Sequence, residues 1–284
     1  MRKSAPRSPA TEPDLGLDPD FTTRILCGFI KSEVRRAGRS SVVVGLSGGL
    51  DSSVAACLAV RALGPQSVLG LVMPYRSSHP TSAAHAELVL GALGIIGERV
   101  EITPLIDAFS AISRPGSRVR LGNAMARVRM ILLYDRSAEN DALVLGTSNK
   151  TEMLLGYGTL HGDLASAINP LGDLYKTQVR ALAEYLRVPP VIRRKRPSAD
   201  LWPRQSDEGE LGFTYDTVDR LLALLVDARV TRRSAIAAGF SPALVNNVME
   251  RVVRSQFKRR PPVVAKVSTR SVGWDFRYPR DWKS

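Results

Sequence analysis

The stretch SVVVGLSGGLDSSVAA, from Ser41 to Ala56, constrains this chain more than any other. Val42, Val43, Val44 and Leu46 form a short, largely β-branched apolar run, which fits a strand buried on both faces of a parallel sheet. The next residues, Ser47, Gly48, Gly49, Leu50, Asp51, Ser52 and Ser53, supply hydroxyls and a turn free of Cβ obstruction. A helical pattern then continues through Val54, Ala55 and Leu58. Amides at such a helix start are unpaired and lie at the positive end of the helix dipole, so an anion fits there. The glycines let backbone N–H groups approach phosphate oxygens closely. Asp51 would repel a bound phosphate unless a cation lay between them, and magnesium is the natural cation. The loop is not a Walker A sequence, because GxxxxGK[ST] occurs nowhere. An ordinary glycine-rich turn with a capping serine is the bland alternative. The coincidence of hydroxyls, glycines and an aspartate directly after a strand favours a phosphate site.

Around this loop the pattern alternates between strand and helix. Phe21 to Ala37 carries apolar residues at helical spacing, and Gly64–Pro65 breaks the helix that follows the loop. SVLGLVMP, from Ser67 to Pro74, reads as a second strand, Thr81 to Leu93 as a helix, and Arg99 to Ile102 as a third strand. This βαβαβ order predicts an α/β fold with a parallel sheet and helices on both faces, its ligands beyond the carboxyl ends of the strands. A long helix is expected from Arg118 to Asn140. The strand ALVLG, ending at Gly146, then delivers Thr147, Ser148, Asn149, Lys150 and Glu152 to the same sheet edge. A helix around Lys176 to Leu186, a Pro- and Arg-punctuated segment to Gly212 and further C-terminal helices complete the pattern.

At 284 residues one large domain is expected, over residues 20 to 284, behind a disordered tail from Met1 to Pro19. No apolar run approaches the roughly 18 residues of a membrane span, and the first residues lack the apolar core of a secretory signal. A soluble, cytoplasmic protein with no membrane partner is the expectation. Cys27 and Cys57 then read as reduced core residues, and the three histidines lack metal-site spacing. The formal charge of +13 admits nucleotides, nucleic acid or an arginine-rich solvated surface. The densest run, Arg193 to Arg196, is interleaved with no aromatic ladder, which disfavours nucleic acid.

SGGxDS resembles the signature of the ATP pyrophosphatases. The ordered set that follows it resembles the ammonia-dependent NAD synthetases: MPYRSSHPTS at 73–82, NAMARVRM at 123–130, GTSNKTEMLLGY at 146–157, INPLGDLYKTQV at 168–179, RPSADLWPRQSDEGELGFTYD at 196–216 and SQFKRRPP at 255–262. The resemblance implies an adenine-nucleotide α-hydrolase-like fold and a two-step reaction. A carboxylate, nicotinate adenine dinucleotide, attacks the α-phosphate of ATP, and ammonia then displaces AMP to leave an amide. It further implies that Gly45, Ser47, Gly48, Gly49, Asp51 and Ser52 hold ATP phosphates, and that Asp51 and Glu152 bind Mg2+. Lys176 and Ser198 would contact the triphosphate, with Asp51 and Lys176 catalytic. Arg127 and Thr147 fall on the nucleotide side; His161, Asp163, Lys258 and Arg259 fall on the acceptor side. Taken singly, Glu152 and Lys176 also read as helix surface charges and Ser198 as a turn residue.

The family usually shows TKYGDGG followed by an aspartate where this chain has TLHGDLASA, so Leu160 replaces a lysine and Ala167 an aspartate; Phe257 replaces a histidine. Another carboxylate is therefore the alternative acceptor. A tRNA-modifying ATP pyrophosphatase and a non-catalytic nucleotide-binding relative are the rival classes; neither an RNA-binding module nor catalytic cysteines support the former, and retention of Asp51, Glu152 and Lys176 counts against the latter. About twenty residues precede the first helix, so free ammonia or ammonia from a separate protein is the expected nitrogen source, and the resemblance implies a homodimer.

Overall fold

The computed structural model describes residues 15–202 and 205–271. Residues 1–14 of the expected N-terminal tail lie outside the described residues. The remainder of that stretch is in place: Leu15 and Leu17 pack against buried clusters, and Pro19 opens the first helix.

Four strands, β1 (Ser41–Gly45), β2 (Val68–Val72), β3 (Ile96–Arg99) and β4 (Ala142–Leu145), form one parallel sheet in the order β3-β2-β1-β4. Helices α1 (Pro19–Arg36), α2 (Leu50–Leu63), α3 (Pro80–Leu93), α4 (Thr103–Ser113), α5 (Arg118–Glu139), α6 (Lys150–Leu155) and α7 (Lys176–Tyr185) connect and cover it. The valines of β1 are fully buried and divide by period two. Val42 and Val44 join Ile30 and Val34 of α1, Leu58 of α2 and Val179 of α7 in one cluster. Val43 joins Leu71, Val144, Ile106 of α4 and Met125 of α5 in another. Both faces are therefore covered, which is why the strand reads as a continuous apolar run. Helix α8 (Pro190–Arg193) adds Ile192 to the first cluster, and a third cluster, outside the sheet, is built by α9 (Asp207–Leu211), α10 (Tyr215–Leu222), α11 (Arg232–Ala237), α12 (Pro242–Arg254) and neighbours, where Leu221, Val245 and Val248 join Tyr175.

The third strand starts three residues earlier than the sequence predicts. Gly94, in the left-handed region at φ 61°, ends α3 and hands the chain straight into β3. Gly97 lies within β3, where a Cβ would lie 2.4 Å from Leu90 Cδ1, so its absence lets α3 pack close on the edge strand. The expected segment still hydrogen-bonds: Val100 and Ile102 donate to the carbonyls of Val72 and Pro74 at 2.9 and 3.0 Å.

The strand order reverses beside β1: the chain moves outward to β2 and β3, then returns to β4 on the other side of β1. This leaves a crevice between the carboxyl ends of β1 and β4, where an open α/β sheet places its ligands. Among the described residues no helix is long and apolar enough to cross a membrane.

Candidate active site

Two turns face each other across that crevice. The first runs from β1 into α2 and is shaped by its own hydroxyls. Gly49 N donates to Ser47 Oγ at 3.2 Å, the Ser47 and Ser52 hydroxyls lie 3.1 Å apart, and Ser53 Oγ donates to Gly49 O at 2.7 Å. Gly48 is required twice over: its φ is +66°, and a Cβ would fall 2.0 Å from the Ser82 carbonyl of α3. Gly49 is the N-cap of α2 and offers no side-chain cap, so amides of the first turn remain available to an anion.

The second turn runs from β4 into α6, which a capping box closes. Glu152 N donates to Asn149 Oδ1 at 2.9 Å, and Asn149 N donates to Glu152 Oε2 at 3.4 Å. Asn149 also reaches across the crevice, its Nδ2 donating to Asp51 Oδ1 at 2.9 Å. The capping residue of one turn thus fixes the carboxylate of the other.

Lys176, the first residue of α7, completes the junction. Its Nζ lies 2.5 Å from Asp51 Oδ2 and 3.1 Å from Glu152 Oε1, and the residue is only 3% exposed. Burial opposes the ammonium charge, but Asp51 and Glu152 together outweigh it and hold Lys176 above the ordinary lysine range. Burial pushes the Glu152 carboxyl upward, with Asp51 and Asp207 adding to the push and Lys176 opposing it. A further carboxylate, Asp219 of α10, fixes the backbone beneath the pair. Fully buried, it accepts from Thr151 Oγ1 at 2.5 Å and from Thr177 N at 2.8 Å, while Lys176 N donates to Thr151 Oγ1 at 3.0 Å. The residues next to Glu152 and Lys176 are therefore tied to one anchor.

Asp51, Glu152 and Lys176 line a cavity of about 500 Å3. Of the residues singled out from the sequence, Gly45, Ser47, Gly49, Asp51 and Ser52 reach it from the first turn, and Thr147 and Glu152 from the second. Asp163, Lys176, Ser198 and Lys258 also line it. Lys258 bridges the carbonyls of Gly156 and Gly158, each at 2.8 Å, and so holds the chain at the cavity rim.

The NAD synthase family model matches residues 22–262. The NH(3)-dependent NAD(+) synthetase of Pelodictyon phaeoclathratiforme is 55% identical over 270 residues, covering 95% of this chain and 98% of that protein. The chain belongs to the NAD synthase family. A solved NH3-dependent NAD synthetase from Campylobacter jejuni, in complex with the nitrate ion, superposes with a TM-score of 0.75 at 36% identity, covering 88% of this chain and all of that one. The solved NMN synthetase from Francisella tularensis gives a TM-score of 0.79 at 33% identity, covering 88% and 99%.

Four of the residues singled out from the sequence are not brought to the cavity of this NAD synthase family chain. Gly48 acts through its close approach to α3. Arg127 is exposed, its Nε donating to the Leu160 carbonyl at 3.2 Å. Arg129 lines the cavity instead, anchored by Nε to the Met73 carbonyl at 3.0 Å, because residues two apart on a helix point to different sides. His161 is exposed at φ 61°. Arg259 directs its guanidinium at the carbonyls of Met153, Leu154 and Val252, where it caps the ends of α6 and α12. Leu160 and Ala167 of the altered segment do not line the cavity either.

Sequence reasoning misses Asp207, which belongs to the cavity. Only 4% exposed, it accepts from the hydroxyls of Tyr157 at 3.0 Å and Tyr215 at 3.1 Å, and burial raises its pKa. The signal that could find it is Ser206 followed by acidic residues, a helix start that places Asp207 in the first turn of α9.

Proposed function

We propose that this chain converts nicotinate adenine dinucleotide to NAD, using ATP and ammonia and releasing AMP and pyrophosphate. One observation carries the reading: the Asp51–Lys176–Glu152 cluster stands beside the uncapped start of α2, at the switch point of the sheet. The relatives' activity as NH(3)-dependent NAD(+) synthetases, over nearly the full length of both chains, supports it.

A carboxylate is a poor acyl electrophile, so it is first activated. Its oxygen bonds to the α-phosphorus of ATP as the bond from that phosphorus to the bridging β-oxygen breaks. The departing pyrophosphate gathers negative charge, which the α2 amides, the hydroxyls of Ser47 and Ser52 and the Lys176 ammonium are placed to offset. Ammonia then adds to the acyl carbon, one proton leaves the nitrogen, and the acyl C–O bond to AMP breaks. Asp51 and Glu152 fit Mg2+: they are two hard carboxylate donors converging on one cationic point, a set that leaves the remaining positions to phosphates and water. Bound there, the ion would supply further charge neutralisation for the leaving group.

Incubation with ATP, magnesium, ammonium and nicotinate adenine dinucleotide should give AMP and NAD in equal amounts. Nicotinate mononucleotide is the control acceptor, since the similar Francisella protein is an NMN synthetase. Preferential amidation of the mononucleotide would overturn the acceptor assignment. The homodimer is proposed on the same footing. Exposed apolar side chains on α4 and α5 support it, with Ile112 87%, Val119 61% and Ile131 65% exposed.

Glu152→Gln tests the cluster in two directions. Its folded-state pKa is raised, so this group favours folding most at low pH, and that contribution is lost as pH rises through the folded value. Glutamine removes the titration. Thermal melts of the ligand-free variant should show a Tm equal to or above wild type at pH 8, while activity falls at least about a hundredfold as a charged ligand to the cation is lost. Unchanged magnesium dependence and turnover would remove Glu152 from the site.

A further inference from the structure

The segment after α8 brings one more cation to the phosphate turn. Lys195 Nζ lies 2.9 Å from Ser82 Oγ and 3.4 Å from the Gly48 carbonyl, and the side chain lines the cavity with Ser47 and Gly49. Both acceptors are neutral. An ammonium has three N–H donors, so this arrangement leaves one donor and the whole charge unspent. Lys176 and Lys150 are each paired with two carboxylates, whereas among the described residues none stands within ion-pair distance of Lys195. Asp200 acts on it only from further away, and burial draws its pKa below the ordinary lysine range. A half-buried cation without a counterion, held against the turn whose amides suit an anion, is placed to receive negative charge.

We propose that Lys195 binds the β- and γ-phosphates of ATP and the pyrophosphate formed from them, holding that end of the nucleotide against the Ser47–Ser53 turn. The assignment rests on the adenylation reading above. Its contact with Ser82 holds the ammonium to the turn from α3, whereas Lys176 is held by Asp51 and Glu152. The leaving group would thus be gripped by two lysines of different kinds: Lys176, already neutralised by carboxylates, and Lys195, neutralised only when phosphate arrives. Charge-assisted contacts of this type are stronger than neutral hydrogen bonds, and their loss falls on ligands that carry the terminal phosphates.

The discriminating experiment compares ligands with and without those phosphates. Calorimetric titration with magnesium present should be run on the wild type, Lys195→Met and Lys195→Arg, using pyrophosphate, ATP and AMP. Lys195→Met is expected to weaken pyrophosphate and ATP at least about tenfold while AMP stays within about twofold, and Lys195→Arg to recover most of the loss. In steady-state assays the same variant should raise the KM for ATP and weaken inhibition by pyrophosphate, leaving the KM for the acceptor in place. Unchanged pyrophosphate affinity would overturn the proposal. So would an equal loss of AMP and pyrophosphate, which would mark Lys195 as a structural tie of its segment. Wild-type protein that binds none of the three would overturn the nucleotide reading itself, and this one with it. Lys195→Gln carries the same comparison if the methionine variant does not fold.

Discussion

Asp51→Ala should abolish measurable pyrophosphate release, a loss of at least about a thousandfold in kcat/KM, corresponding to about 4 kcal/mol of transition-state stabilisation. The size follows from how many contacts converge on this carboxylate. It accepts from Asn149 Nδ2, pairs with Lys176 Nζ and, with Glu152, forms the donor set that fits magnesium. Removing it frees Lys176 to turn wholly toward Glu152, so the remaining cation is displaced as well as the ligand lost. The fold should survive, because Asp51 sits at the cavity rim with its side chain 17% exposed and no place in the buried apolar clusters. Rapid-quench measurement of pyrophosphate, alongside a thermal melt, checks both halves. A variant that is folded and turns over within tenfold of wild type would remove Asp51 from the chemistry.

The sheet and its first turn are legible in the sequence because their signals are local. A run of valines needs two covered faces, and the double constraint on Gly48 leaves its mark as a glycine pair between a strand and a helix. The cluster itself is legible only through family resemblance. Asp51 and Lys176 are 125 residues apart, and no periodicity announces that α7 will begin against the β1 turn. On α5 the pattern fails for a physical reason. Charged and apolar residues occur all round this helix, so nothing local distinguishes exposed Arg127 from cavity-lining Arg129. Asp219 is invisible for the opposite reason: an aspartate in an amphipathic helix reads as a surface charge, and only the packing of α10 against α6 and α7 buries it under Thr151 and Thr177. Arg259 shows why a basic run is ambiguous, since carbonyls at two helix ends occupy guanidinium donors that the resemblance assigns to a ligand.

Lys176→Met should also lower kcat/KM by at least about a thousandfold, but it differs from the aspartate variant in what it does to the fold. Lys176, itself buried, is the counterion of two partly exposed carboxylates that otherwise face one another across the cavity wall. Breaking such a pair by deleting one partner typically costs about 3 to 5 kcal/mol, unless a carboxylate escapes by taking up a proton. Glu152 is the group that escapes, because burial and the neighbouring Asp51 and Asp207 already push its carboxyl upward, and without Lys176 nothing of comparable proximity opposes them. The sign then fixes the pH behaviour. A carboxyl whose folded-state pKa is raised lends the fold its full support below the unfolded value and loses it as pH rises through the folded value, so the Tm deficit of Lys176→Met should be small at pH 5 and grow toward pH 8. Adding Glu152→Gln removes the repulsion without restoring the cation, so the double variant should regain most of the Tm at pH 8 and none of the activity. Recovery of both would mean that Lys176 matters only for neutralising its neighbours. Recovery of neither would mean that it is held in place for reasons other than this pair.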